Sequence, residues 1–291
     1  MDPVKKSLVT LHLAVVLLGG TGLFSKIIPL NAIDITLGRS LFACLALCLF
    51  VRAGREHLRL ERRLDYFIAI GLGVLMAAHW ATYFASMQYA GVSVGMIAMF
   101  TFPVITVLLE PLFEKTRLAW QDMLSALVVV IGIVLIVPEV SLDNDVTLGV
   151  GLGVISAVLY AVRNLSLRKY FSHYSGARSM AWQTLIIVLC LLPFSDLANT
   201  QQDTSVWLLL LALGTAFTAL PHALVANSLA HLRAKTFSLI ACMQPFYGVI
   251  FAIILLNESP GWQTLLGGIL VTSASIYETV NTHKSASATN E

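Results

Sequence analysis

Apolar residues along this chain run in stretches parted by short polar segments. A helix rises 1.5 Å per residue, so about 20 mostly apolar residues cross the roughly 30 Å hydrocarbon core of a bilayer. Ten stretches meet that length and are expected as spanning helices: residues 8–28, 33–51, 65–88, 93–112, 118–137, 147–169, 179–194, 205–228, 236–256 and 261–280. Their connections are too short to hold a soluble domain. The closest pairs are joined by "YAGVSVG" and "AHLRAKT".

The pattern occurs twice. "MIAMFTFPVITVLLEPLFEKTRLAW", Met96 to Trp120, returns as "SLIACMQPFYGVIFAIILLNESPGW", Ser238 to Trp262. Pro245 minus Pro103 is 142, and Trp262 minus Trp120 is again 142. Twice that offset nearly spans the chain, so the duplication covers the whole protein. Residues 1–145 form a first unit of five spans, and 146–291 a second one with a short cytoplasmic tail. Five is odd, so the second unit enters the membrane upside down. The expected fold is an all-α integral membrane protein of ten transmembrane helices arranged as two inverted five-helix repeats. Secondary transporters use this arrangement for alternating access, with a site near the midplane between the halves.

Composition agrees. Of the 291 residues, 57% are hydrophobic and 12% charged, against about 25% charged in soluble domains. The net charge of +2 says little, but its placement orients the chain. With the N-terminus in the cytoplasm, 16 of the 18 basic residues fall on cytoplasmic segments, Arg163 and Arg168 among them. Lys26 stays outside and Arg39 lies within the second span. The outer loops carry Asp34, Glu139, Asp143, Asp145, Asp196, Asp203 and Glu258. Both termini are therefore expected in the cytoplasm. The first apolar run follows Lys5 and Lys6 as a signal peptide would. No small-residue cleavage site follows it cleanly, so it reads as a retained span. Cys44, Cys48, Cys190 and Cys242 lie in apolar runs and are expected to pack. The seven histidines show no ligand spacing, so no metal is expected.

Several residues stand out at lipid depth. Pro103 and Pro245 each remove a backbone hydrogen bond and are candidate hinges beside a cavity, or else only set helix shape. His79 and His222 lie about 15 residues into their spans, roughly 20 Å deep, and ionisable groups there face a cavity or a partner. Either histidine can carry a coupled proton, or can tie helices together as a neutral imidazole. Arg39 costs about 2.5–3.5 kcal/mol at a helix centre. It pairs with an outer acid such as Asp34 or Glu258, or it recognises a substrate carboxylate. Glu110 is expected to pair with Arg117 or with a base of another loop. Trp80, Tyr83, Phe100, Trp182 and Tyr247 are candidate stacking walls. Gln183, Asn227 and Gln244, with Asn164, are buried amides that need partners. Ser259 reads as a helix cap with Pro260 at the first helical position, and Thr116 as the equivalent cap. "GVSVG", Gly91 to Gly95, fits a nucleophile pattern but joins two spans, so Ser93 reads as a cap. "GVGLG", Gly149 to Gly153, has no preceding strand and suits close helix packing.

Together these features resemble the drug/metabolite transporter superfamily in its EamA-type branch. The likeness rests on the two five-helix halves, on "LLGGTGLFSK" in the first span, and on Arg39 in "LGRSLFACLAL". It also rests on "YFASMQYAGVSVGMIAMFTFP" to "LVVVIGIVLI", repeated as "NSLAHLRAKTFSLIACMQP" to "LLNESPGWQTLLGGILV". The sequence departs from the family at Gly19–Gly20, where a Trp–Gly pair is common. The resemblance implies a central cavity framed by spans 1–4 and 6–9, with spans 5 and 10 outside it. It further implies efflux of small amphipathic metabolites, amino acids above all, across the inner (plasma) membrane. Uptake of a metabolite or cofactor by the same fold is the alternative. An intramembrane enzyme would need a cluster of catalytic groups, and a lipid scramblase or sensor is a third class. The expected partners are a small-molecule substrate and the lipid bilayer, with no nucleic acid and no cofactor, and the protein is a monomer or homodimer.

Overall fold

The computed structural model describes residues 3–113, 118–136, 144–197, 202–229 and 240–288. These form helices without strands. They are α1 (Pro3–Gly20), α2 (Phe24–Ile27), α3 (Ala32–Ala53), α4 (Arg63–Ala90), α5 (Val92–Met99), α6 (Phe102–Phe113) and α7 (Trp120–Ile136) in the first half. The second half holds α8 (Asp145–Tyr170), α9 (Gly176–Leu191), α10 (Thr204–Gly214), α11 (Leu220–Leu229), α12 (Gln244–Leu256) and α13 (Trp262–Ala288). Among the described residues, seven continuous helical stretches are long and apolar enough to cross a membrane, and α7 and α12 are shorter apolar helices. The described helices follow most of the expected stretches to within about five residues, but α13 runs on to Ala288, past the expected end at 280, and residues 236–239 of the expected ninth span lie outside the described residues. Two departures matter: a turn at Phe100 and Thr101 divides the expected fourth span, and a turn at Cys242 and Met243 lies within the expected ninth.

Local chemistry sets the helix ends. Asn31 caps α3 through the Asp34 amide (2.9 Å), and Asn144 caps α8 through that of Val146 (2.9 Å). Ser175 caps α9 through the Arg178 amide at 3.3 Å. The turn between α4 and α5 is the single residue Gly91, at φ +89°, a conformation that a side chain disfavours. Glu258 serves this turn from the other half. Its carboxylate accepts from the amides of Val92 (2.7 Å) and Ser93 (3.0 Å) and from the Ser93 hydroxyl (2.7 Å). It thereby neutralises the positive end of α5. Ser93 is thus the recipient of a cap and not its source. Ser259 and Pro260 lie ahead of α13, whose first bond runs from the Leu265 amide to the Gly261 carbonyl at 3.1 Å, so Gly261 is the cap. Thr116, Arg117 and the "AHLRAKT" turn lie outside the described residues.

The tertiary contacts join one half to the other. α4 lies along α8, and α1 along α11. Exchanging the halves turns one of these pairings into the other. α3 packs on α9, α5 on α12 and α7 on α13, and each of these pairs maps onto itself under the same exchange. The bundle is therefore built around a pseudo-twofold relation between its halves. Trp120 and Trp262, at the starts of α7 and α13 and 142 residues apart, are 71% and 66% exposed. Such exposure suits the interfacial band where tryptophans collect in bilayers. The outward faces carry Leu49, Phe67, Leu112 and Ile254, all exposed apolar side chains that match lipid and not water.

Glycine permits a close contact between α7 and α13. A methyl group on Gly267 of α13 would lie 2.5 Å from the Gly132 carbonyl of α7, and one on Gly132 would lie 3.0 Å from the Gly267 carbonyl. The two backbones touch there directly. A Gly267→Val change is expected to pry α7 from α13 at a cost of about 1–3 kcal/mol. Thermal unfolding in detergent should show the loss, while a Gly71→Ala control, in open space, should leave the melting temperature unmoved.

Candidate functional site

The two helix breaks have the same construction. α5 ends at Met99, Phe100 and Thr101 form a turn, and α6 resumes with Pro103 as its second residue. The chain again turns at Cys242 and Met243, and α12 resumes with Pro245 as its second residue. Hydrogen bonds repeat at the offset of 142. Thr101 N–H donates to Ala98 O (3.4 Å) as Met243 N–H does to Ile240 O (3.0 Å). Ile105 N–H donates to Thr101 O (3.1 Å) as Tyr247 N–H does to Met243 O (3.2 Å). A proline cannot donate and crowds the carbonyl four residues back, so the helix restarts around it. Carbonyls left at such a break need other donors at lipid depth. Ser275 of α13 supplies one, its hydroxyl donating to Phe100 O at 2.9 Å. Each candidate hinge is thus a two-residue turn between helical segments.

Between the breaks lies a cavity of about 300 Å³, the size of a small-molecule site. Its lining follows the repeat. Leu18 and Tyr160, Trp80 and His222, Tyr83 and Val225, Met99 and Ala241, Phe100 and Cys242, and Phe102 and Gln244 all border it. Each pair is separated by 142, as 160 minus 18 and 222 minus 80 show. His79 and Pro103 line it as well. The structure thus brings together nine of the expected residues: Arg39, His79, Trp80, Tyr83, Phe100, Pro103, Asn164, His222 and Gln244. His222 falls opposite Trp80 in this register, and not opposite His79.

Other expected residues lie elsewhere. Trp182 donates through Nε1 to the Leu58 carbonyl (2.8 Å) and stands edge-on to Tyr66, holding the loop after α3 against the bundle. Gln183 is fully buried and engaged by Arg163, whose Nε donates to its Oε1 at 2.8 Å. Tyr247 packs against Leu11, Val15 and Ile240, over Gly19. Pro245 is buried in α12, while its partner Pro103 borders the cavity. Of the Asn227 side chain nothing is described.

The histidines are anchored by backbone. His79 Nδ1 lies 3.0 Å from the Ser156 carbonyl on α8, and His222 Nδ1 lies 2.7 Å from the Thr218 carbonyl one turn back. His222 Nδ1 faces a carbonyl, which only accepts, so it carries the proton and leaves Nε2 as an acceptor, whereas His79 Nδ1 also lies 2.7 Å from the Ser156 hydroxyl, which can donate or accept. His79 also stacks between Tyr160 (centroids 4.6 Å apart) and Tyr83 (6.1 Å). Phe102 meets Tyr160 edge-on at 4.9 Å, which extends the aromatic wall.

Arg39 does not pair with an outer acid. Asp34 is held by Asn31 and Ser195, and Glu258 by α5. The Arg39 guanidinium is 2% exposed and lies 4.0 Å over the Trp80 ring and 5.1 Å over Phe84. Its Nη2 donates to the Thr218 hydroxyl at 2.9 Å, while its Nε has no acceptor. A desolvated cation over a ring gains about 2 kcal/mol, less than the several kcal/mol that removing an ion from water costs. Two features bring α10 and α11 to this spot. Gly214 lets the helix touch α3, for a methyl group there would sit 2.5 Å from the Arg39 carbonyl. A π-type turn at Thr215–Ala219 then swings Thr218 toward the guanidinium; such bulges recur at functional sites.

Arg163 belongs inside as well, and not with the cytoplasmic charges. It is 7% exposed and donates to Gln183, to Asn164 Oδ1 (2.8 Å) and to the Met180 sulfur. Its position within the expected span 147–169 was the signal for this. Glu110 pairs with Arg168 at 2.6 Å, across the halves.

A two-repeat helical membrane protein with one central cavity on the repeat interface defines a class, and the comparisons give the family. The model of the EamA-like transporter family matches residues 5–137 and again 147–277. The chain belongs to that family. It is 23% identical over 294 residues to YxxF of Bacillus subtilis (strain 168), described as an uncharacterized transporter. That alignment covers 98% of this chain and 93% of the relative. A protein solved by crystallography shares the fold, with a TM-score of 0.66 at 14% identity over 96% of this chain and 98% of that one.

Thr218→Val is expected to leave two Arg39 donors without an acceptor and to lower stability by about 1–3 kcal/mol. Thr218→Ser should restore it. Thermal unfolding of the purified variants in detergent reads both.

Proposed function

We propose that this protein is a ten-span secondary transporter whose two inverted repeats, residues 1–145 and 146–291, rock about the central cavity in alternating access. It exports small amphipathic metabolites, amino acids among them, across the inner membrane, with both termini cytoplasmic. One observation carries the reading: six pairs of residues at the repeat offset border a single cavity. A site on the axis that relates two halves is reached from either face when the halves exchange conformations. The aromatic wall and the sparse charge favour a solute with an apolar body and a polar end.

Two measurements test this. Proteoliposomes loaded with mixed unlabelled amino acids should take up a labelled one above the level of empty liposomes, and Trp80→Ala should cut that uptake about tenfold or more. Absence of uptake by folded, inserted protein would sink the amino-acid assignment. Cysteines placed one at a time at Lys26 and Lys169 of a cysteine-free protein should react with an impermeant maleimide from opposite sides of the membrane. Labelling of both from one side overturns the topology.

A further inference from the structure

The cavity carries a positive charge that no described acid balances. Arg39 borders it with Nε–H free of any acceptor, and no aspartate or glutamate is among the lining residues. The stretch 226–239, which precedes the second break, has no acidic residue in its sequence either. Tyr83 also lines the cavity, and its buried hydroxyl has no partner. Asn164 has its oxygen engaged by Arg163, so what it has left to offer are amide N–H donors. Set against these donors is the Nε2 acceptor of His222, which suits a hydroxyl or N–H but brings no negative charge. A buried guanidinium in a dry site is completed by a carboxylate or similar anion, with which it forms its strongest hydrogen bonds.

We infer that the solute is a monoanionic carboxylate with an apolar or aromatic body, bound through Arg39, with Tyr83 donating to the second oxygen. The body lies against Trp80 and Phe100. This rests on the transport reading for its biological setting and goes further on charge. A zwitterion would leave the site with its positive charge and add an ammonium, and a cation would add to the repulsion. The site therefore excludes the cation and holds the zwitterion, through the same carboxylate, more weakly than the monoanion. Arg39 already lies flat on Trp80, so its position is held before the ligand arrives and little ordering is left to binding.

Equilibrium binding to the purified full chain in detergent tests this, with phenylacetate, phenylacetamide, L-phenylalanine and L-phenylalaninamide as probes. Phenylacetate should bind about tenfold or more tighter than its neutral amide and tighter than either amine. Arg39→Gln should abolish that preference, Arg39→Lys should keep part of it, and Tyr83→Phe, which removes only the hydroxyl, should weaken phenylacetate binding alone. Equal affinity for phenylacetate and phenylacetamide overturns the inference, as does an undiminished preference in folded Arg39→Gln protein. Counterflow with the same probes separates the two readings. Arg39-dependent binding without flux removes the transport reading and leaves the carboxylate site standing. Flux of the neutral or cationic probes without phenylacetate binding does the reverse.

Discussion

At lipid depth every backbone N–H and C=O must find its partner inside the protein. This fold meets that demand with long helices almost everywhere and departs from it at two places. The departures, at Phe100–Thr101 and Cys242–Met243, share two backbone hydrogen bonds at the same offset. Open backbone is tolerated there because protein surrounds it: α5 packs on α8 and α12, and Ser275 reaches the Phe100 carbonyl. The cavity lies where the two interruptions face each other. Because a broken helix has two rigid pieces and a joint, the same feature that makes room for a solute also gives each half a place to bend.

Many polar ties of the protein cross from one half to the other. Arg39 is held by Thr218, α5 by Glu258, Arg168 by Glu110 and Asp34 by Ser195. At the edge of the bundle Tyr174 donates to Asp65 (2.6 Å), and Arg178 lies near Glu56. Within each half, apolar packing and helix ladders dominate. A motion of one half against the other therefore exchanges a few specific bonds and spares the helices. Glu258 on Gly91's turn and Glu110 on Arg168 sit on elements at the two ends of the broken fourth segment, α5 and α6. These ties are placed to report on opposite ends of the cavity.

Charge gives the site its chemical bias. Arg39 and Arg163 are both buried, and neither has a carboxylate partner among the described residues. Arg163 is satisfied by Gln183, Asn164 and a methionine sulfur, so its role is to lock α8 against α9. Arg39 is satisfied only in part. The difference between them separates a structural cation from one with capacity left for a ligand, and neither sequence position alone distinguishes the two.

The run lengths, the offset of 142 and the basic loops were enough to read the helices, the duplication and the membrane setting, because each follows from local composition and bilayer thickness. Pro103 and Pro245 were legible as paired features for the same reason: a proline acts on its own backbone. What lay beyond the sequence were the partners. Trp182 was read as a stacking wall and Gln183 as a buried amide in want of a partner, and the loop at Leu58 and the side chain of Arg163 claim them. Tyr160 and Phe102 drew no notice in the sequence, and packing placed them in the wall. Arg39 showed its cost at once, but whether Asp34 or Glu258 would answer it depended on Asn31, Ser195 and the end of α5. Periodicity and composition act through neighbours along the chain. A buried polar group is decided by neighbours in space, and those are set only when the two halves pack.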